Sequence, residues 1–189
     1  MQTLTYFIAL SIDGFIAGPH DEVDFFEGSD DYMGWMAAEY ADALPSHVRE
    51  QLGVDETELT RFDTVVMGRR TYEPALTAGI LSPYAHLEQV VISTTLQSSH
   101  PQIKVVREFP LEAVRELKNR DSALGIYLAG GGRLAGELLP EIDRLVVKRY
   151  PVVAGAGIPA FGAHFAPTSF GLESVQSFEG GNIVETYTR

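Results

Sequence analysis

Two hydrophobic periods alternate along the chain. Residues 3–10 run as β-branched, aromatic and aliphatic side chains up to Asp13-Gly14, the pattern of a buried strand followed by a turn. Residues 64–67, 89–93 ("QVVIS"), 103–106 ("IKVV") and 143–150 repeat the strand pattern. Residues 31–43, "DYMGWMAAEYADA", instead place Met33, Met36, Ala37 and Tyr40 at helical spacing behind acidic residues suited to a helix N-terminus, and Pro45 closes the segment. In residues 111–118, Leu111, Val114 and Leu117 share one helical face. "GRRTYEPAL" turns from a strand into a helix, and residues 126–140, "IYLAGGGRLAGELLP", read as strand, glycines, helix. From Pro45 to Arg61 the chain is polar and shows no clear period.

Strands alternating with helices imply right-handed crossovers and a largely parallel sheet with helices on both faces, an α/β three-layer arrangement. The end differs. Residues 172–178 and 182–188 flank "EGGN", whose paired glycines suit a two-residue hairpin turn. The sheet is therefore expected to be mixed, with an antiparallel C-terminal hairpin. No repeat, low-complexity tract or linker interrupts residues 1–189, so one domain is expected, long enough to bury one core.

Charge narrows the function classes. Acidic residues outnumber basic ones 26 to 14, with no Lys/Arg run, so the field repels nucleic acid and anionic membrane. Cysteine is absent, which excludes disulfides, thiolate metal sites and thiol nucleophiles. The histidines are scattered without metal-ligand spacing, and no G-x-S-x-G elbow points to a hydrolase. "MQTLTYFIALSIDG" lacks a basic n-region and a cleavage pattern, and no apolar run reaches membrane-spanning length. A soluble cytoplasmic protein is the expectation.

The glycine stretch carries the first candidate chemistry. Gly130-Gly131-Gly132-Arg133-Leu134-Ala135 satisfies G-x-G-x-x-[GA] at a strand-to-helix junction, where bare backbone lets a diphosphate approach N–H groups at the helix start. The full dinucleotide fingerprint also needs an acid about 20 residues on. Here the next strand ends in Lys148 and Arg149, and no Lys-Ser/Thr follows the glycines, so neither a Rossmann site nor a P-loop is matched. A tight turn with close helix packing and a phosphate cradle both remain open.

"VVMGRRTYE" repeats the junction. Gly68 ends a strand, and Arg69, Arg70 and Thr71 fall where a helix begins. Paired arginines beside a helix start suit a phosphomonoester such as the 2′-phosphate that distinguishes NADP from NAD. The alternative is two solvated surface arginines. Ser93 and Thr94 follow a third strand, as ligand contacts or as ordinary turn hydroxyls.

With these motifs in order, the chain resembles the dihydrofolate reductase-like superfamily, and in particular single-domain proteins similar to the reductase domain of the bacterial riboflavin-biosynthesis enzyme. The resemblance rests on "IALSIDGFIAG", "VVMGRRTYE", "VVISTTL", "YLAGGGRLAGELLP" and "DRLVVKRYPVVAGAGIPAFG", which cover most of the chain except residues 28–62. It implies a dihydrofolate reductase-like fold and an NADPH site. Ala9 and Ile16 match positions at the nicotinamide end. Gly68, Arg69, Arg70 and Thr71 match the group holding phosphates and adenosine ribose, and Ser93 and Thr94 the turn beside adenine. Gly131, Gly132, Arg133 and Leu134 match the turn and helix start under the diphosphate. By the same resemblance a homodimer is expected. Asp13 falls in the turn after the first strand, with a turn-forming role beside Gly14.

The chain departs from the family at its acid. True dihydrofolate reductases place a carboxylate three residues before a tryptophan on the first helix. Counting back from Trp35 reaches Tyr32, with Asp31 one position off. Asp31, or Asp30 beside it, in a shifted, buried register with a raised pKa, and Tyr32, through its phenol, are the catalytic candidates; helix N-terminal charge and packing are their alternatives. Lacking cysteine, the chain has no zinc deaminase domain, which excludes the bifunctional riboflavin enzyme but not a stand-alone reductase. In "PVVAGAGIPAFG" the glycines admit either a ligand or another backbone, and Phe161 and Phe165 cover the pocket or a subunit contact. The implied function is an NADPH-dependent reductase of a small pterin- or pyrimidine-type heterocycle. The alternatives are a non-catalytic NADP(H)-binding protein and a stand-alone riboflavin-pathway reductase.

Overall fold

The uninterrupted apolar run at the N-terminus forms β1 (Leu4–Leu10), which sits inside the sheet with both faces covered. The computed structural model describes residues 1–97, 100–162 and 165–189. After β1 come β2 (Phe15–Ala17), α1 (Asp30–Glu39), α2 (Ser46–Leu52), β3 (Phe62–Gly68), α3 (Arg69–Thr77), β4 (Glu88–Ile92) and β5 (Ile103–Val106). The second half contains α4 (Pro110–Lys118), β6 (Gly125–Leu128), α5 (Gly132–Leu138), β7 (Arg144–Arg149), β8 (Ile158–Pro159), β9 (Gly171–Ser177) and β10 (Ile183–Thr188).

Eight strands hydrogen-bond in the order β5-β4-β3-β6-β1-β7-β10-β9. Every pair from β5 to β7 is parallel, and β10 runs antiparallel to both its neighbours. The mixed, mostly parallel sheet with an antiparallel C-terminal hairpin is as expected. Alternation along the strands separates two cores. Phe7, Val65, Met67, Tyr127 and Val146 pack with Tyr32 and Met36 of α1 and Tyr72 of α3. Leu4, Tyr6, Ile8, Val66 and Leu128 pack with Val114 and Leu117 of α4 and Leu134 and Leu138 of α5. The result is three layers.

The polar stretch without a clear period is ordered by a buried ion pair. Helix α1 ends at Glu39 rather than continuing to residue 43, because Tyr40 leaves helical geometry (φ −135°) and stacks its ring on Phe7 at 4.6 Å. A 3₁₀ turn at Ala41–Ala43 follows and carries Asp42 inward, where it is 1% exposed. Its Oδ2 accepts the N–H groups of Thr60, Arg61 and Phe62 at 2.9, 2.7 and 3.1 Å. Its Oδ1 lies 3.8 Å from Arg49 Nη1, and Arg49 Nη2 donates to the carbonyls of Asp55 and Thr57. Arg49 belongs to α2, a helix that apolar spacing does not reveal because charge, rather than an apolar stripe, holds it in place.

The C-terminal turn also differs from expectation. Phe178 N donates to Asn182 O at 3.0 Å and Gly181 N to Phe178 O at 2.9 Å, so a three-residue loop replaces the expected two-residue one. Only Gly181 of the paired glycines takes positive φ, 83°, the position a three-residue hairpin loop needs.

Removing one member of a buried ion pair leaves the other uncompensated. Asp42→Ala is therefore expected to destabilise the fold by about 3–5 kcal/mol, read from urea midpoints. A change below about 1 kcal/mol would place the pair among surface salt bridges and contradict its structural role.

Candidate active site

In a parallel sheet the carboxyl ends of the strands share one edge, and ligands of open α/β folds bind outside it. Here Gly68, ending β3, is level with Ile92, ending β4, and Val66 is level with Leu128, ending β6. Helix α3 starts at Arg69 and α5 at Gly132, so the two glycine-bearing junctions are neighbours. A methyl on Gly131 would lie 3.5 Å from Thr71 Oγ1, and one on Gly68 3.9 Å from Leu134 Cδ2. Gly68, Thr71, Gly131 and Leu134 border one notch. Leu134 itself is a core side chain, so only its backbone is available to a ligand.

Each glycine of the triplet has its own cause. Gly130 and Gly131 adopt φ of 120° and 88°, where a side chain is strained. Gly132 does not, but a Cβ there would overlap the Pro159 carbonyl oxygen of β8. Gly162 N also donates to Gly132 O at 2.8 Å. Gly157 meets the Ala17 carbonyl in the same way, and β8 pairs with β2. Within "PVVAGAGIPAFG", Gly157 thus admits backbone against backbone, whereas Gly155, at φ 75°, has open space at its Cβ. The bareness of Gly132 belongs to that packing, and Gly131 is the glycine left facing the notch. Phe161 of the same loop packs edge-on to Tyr6 at 5.3 Å, whereas Phe165 is exposed.

Positive charge gathers at this edge of a chain with net charge −12. Arg69 pairs loosely with Glu73 at 3.5 Å, and Arg70 with Asp21 at 2.6 Å, all of them largely exposed. Arg133 is exposed and forms no ion pair among the described residues. Ser93 is buried, with its Oγ accepting from Thr95 N and Leu96 N, which makes it a turn hydroxyl; Thr94 is exposed. Ala9 packs on the α1 side of the sheet, and Ile16 of β2 packs against the other core.

The catalytic candidates on α1 sit differently from expectation. Asp31 is exposed, accepting from Ser29 Oγ at 2.5 Å and from Glu179 N at 2.9 Å, and these bonds hold its carboxyl below the ordinary range. It clamps the C-terminal hairpin to α1 instead of reaching a pocket with a raised pKa. Tyr32 is buried, its hydroxyl 2.9 Å from that of Tyr150, its ring against Trp35 and Phe178. Burial pushes its phenol well above the ordinary value, so it is a packing and hydrogen-bonding group. Asp13 does more than form a turn. It accepts from Ser11 Oγ and the N–H groups of Ala154 and Gly155, and these bonds lower its carboxyl to about 2.

The sequence pattern gives one group at this edge no role. Lys148 of β7 is level with Ala9 of β1, and its Nζ stands 3.9 Å from the centroid of the Phe7 ring. Burial pushes its ammonium down to about 7. The signal lies in "RLVVKRY": Val146, Lys148 and Tyr150 share a face by strand period, and the flanking two are core residues. Among the described residues no group of acids and histidines is arranged to hold a metal ion. No helix among them is long and apolar enough to cross a membrane.

The sequence model of dihydrofolate reductase matches residues 40–165. A protein of Bacillus subtilis strain 168 whose function is uncharacterized, YwjB, is 28% identical over 183 residues, 94% of this chain and 92% of that one. Among solved structures, a riboflavin-biosynthesis candidate protein from Shewanella sp. PV-4 superposes with TM-score 0.69 at 23% identity, covering 100% of this chain and 99% of that one. Dihydrofolate reductase from Enterococcus faecalis, complexed with NADP(H), superposes with TM-score 0.61 at 15% identity, covering 99% and 96%. The fold is that of dihydrofolate reductase.

Two glycines separate packing from propensity. Gly132→Ala forces a methyl into the β8 backbone and is expected to destabilise by about 1–3 kcal/mol. Gly34→Ala, inside α1 with open space at its Cβ, is expected to stabilise by up to about 1 kcal/mol. Urea midpoints of both variants check this, and equal shifts would contradict the account of Gly132.

Proposed function

The chain belongs to the dihydrofolate reductase family, and from that premise we propose that it is an NADPH-dependent reductase delivering hydride to a C=N or C=O bond of a small heterocycle of pterin or pyrimidine type. The family is one of NADPH-dependent reductases. The observation that carries the reading here is the meeting of two strand-to-helix junctions at one edge, with Arg69, Arg70 and Arg133 in the first turns of the two helices that start there. Gly131 fits a diphosphate by what it lacks, since a side chain there would fill the space beside Thr71.

In this reading the backbone of Gly131, Gly132, Arg133 and Leu134 holds the diphosphate. Gly68 and Thr71 border it from the opposite junction. Arg69 and Arg70 hold the 2′-phosphate, for which the weak Glu73 pairing and the exposed Asp21 pairing give way. Ser93 shapes the turn beside adenine, with Thr94 on its outside. Ala9 and Ile16 border the nicotinamide end. When bound, the cofactor supplies hydride from its dihydronicotinamide ring, and the protein supplies position and exclusion of water. The resemblance to a riboflavin-type protein supports a pyrimidine acceptor, and that to dihydrofolate reductase a pterin.

One observation favours a second reading. Asp31 faces solvent at the hairpin, and a family fold without its acid suits a non-catalytic NADP(H)-binding protein. Turnover distinguishes the two.

Calorimetric titration with NADPH and NADH, followed by NADPH oxidation with dihydrofolate, dihydropterins and ribosylaminouracils, tests the proposal. Charge-assisted hydrogen bonds contribute about 1.5–3 kcal/mol, so NADPH is expected to bind roughly 10- to 100-fold more tightly than NADH. The double variant Arg69→Ala, Arg70→Ala is expected to close that gap. Equal affinities in the native protein would remove the role given to the two arginines, and tight binding without turnover would favour the binding protein.

A further inference from the structure

β7 turns Arg144, Val146 and Lys148 toward the α1 side of the sheet. Arg144, at the amino end, is held by Glu173 at 2.6 Å. Lys148, at the carboxyl end, has no carboxylate or carbonyl partner among the described residues; its ammonium lies over Phe7, whose ring in turn stacks on Tyr40. Lys118 shows the contrast, since its Nζ is 2.8 Å from both the Glu141 carbonyl and Asp143. Lys148 is half-buried, and a cation–π contact offsets only part of what burial without an anionic partner costs its charged form. An amine kept in that state is suited to exchanging its proton.

Its location gives that proton a destination. Lys148 is level with Ala9 in the parallel register of β1 and β7 and on the same face. Ala9 borders the nicotinamide end in the reading above, on which this inference rests.

We propose that Lys148 is the proton donor of the reduction, taking the place that Asp31 does not fill. The substrate's C=N or C=O carbon accepts hydride from the dihydronicotinamide, which is oxidised to nicotinamide. The π electron pair moves to the heteroatom, the N–H bond of the Lys148 ammonium breaks, and its proton forms the new N–H or O–H bond. The substrate thus gains two electrons and two protons, one hydrogen arriving on carbon as hydride and one on the heteroatom as the ammonium proton. The amine is left neutral and recovers its proton from water.

Groups facing Lys148 leave it free to titrate. Beside it stand Phe7 and Ala9 of β1, Val184 of β10 and, two residues on along the same face of β7, Tyr150, whose hydroxyl is bonded to that of Tyr32. Arg149 points to the opposite face and pairs with Glu185 at 2.8 Å. Burial alone lowers the ammonium to about 7. Because the donor must be protonated, activity is expected to fall as pH rises through the neutral range.

The chain has three lysines, Lys104, Lys118 and Lys148, so ¹⁵N-lysine spectra of the whole protein resolve the question, with Lys148→Met assigning the signal. Methionine keeps an unbranched chain over Phe7, and an unchanged thermal midpoint confirms that the variant folds. The Lys148 signal is expected to titrate near neutral pH without dinucleotide. NADP⁺, with a cationic ring, is expected to lower that titration further, and NADPH, with an uncharged ring, to move it less. On the acceptors above, Lys148→Met is expected to lower kcat about 10²- to 10⁴-fold, to leave NADPH affinity unchanged and to abolish the alkaline limb. Lys148→Arg does not rescue it, because a guanidinium does not release its proton. A Lys148 titration at the ordinary value of 10.5, or one unmoved by both dinucleotides although they bind, overturns the proposal and leaves the reductase reading standing. Failure of both dinucleotides to bind overturns that reading and the proposal with it.

Discussion

Parallel hydrogen bonding from β4 through β3, β6 and β1 to β7 is the constraint on which the site depends. It brings the strands' carboxyl ends to one edge and fixes which residues stand level there: Gly68 with Ile92, Ala9 with Lys148, Leu10 with Arg149. A shift of one residue in β7 would turn Lys148 to the other face and put Arg149 in its place. The register also explains how residues far apart in the chain, Thr71 and Gly131, come to border one notch. Everything proposed about dinucleotide binding presupposes this alignment.

A second constraint locks the edge from outside. β8 is pressed between β2 and the start of α5, with the Pro159 carbonyl at Gly132 and the Ala17 carbonyl at Gly157, closer than any side chain permits. Tyr6 donates its hydroxyl to Ala160 O at 3.0 Å, and Asp13 grips the N–H groups of Ala154 and Gly155. Strand ends, glycine turn and returning loop therefore form one connected wall. Glycine in this wall serves first to let backbone meet backbone and only then to leave Gly131 open toward a ligand.

Strands and the α4 and α5 helices were legible because apolar periodicity decides them: residues 103–106 are a strand as read, and Leu111, Val114 and Leu117 face the sheet as spaced. α2 was not legible, since a buried Asp42–Arg49 pair orders it, and a charge in sequence gives no sign of being buried. The hairpin loop was misjudged by one residue because two adjacent glycines do not say which of them takes positive φ. The arginines and glycines at the edge could be named from sequence, since their types match phosphate chemistry. The acid could not, because a shift of a single position on α1 separates a buried residue, Tyr32, from an exposed one, Asp31. Lys148 was hidden by its own neighbour: beside Arg149 it reads as a basic pair, and only strand alternation sends the two to opposite faces.

The most direct test of the account is a crystal structure of the protein with NADP⁺. It predicts the diphosphate against Gly131 at the start of α5, the 2′-phosphate between Arg69 and Arg70 with Asp21 released, and the nicotinamide ring on the Ala9 and Lys148 side of the edge. A dinucleotide bound at the amino edge of the sheet, or with its phosphates away from all three arginines, would contradict it.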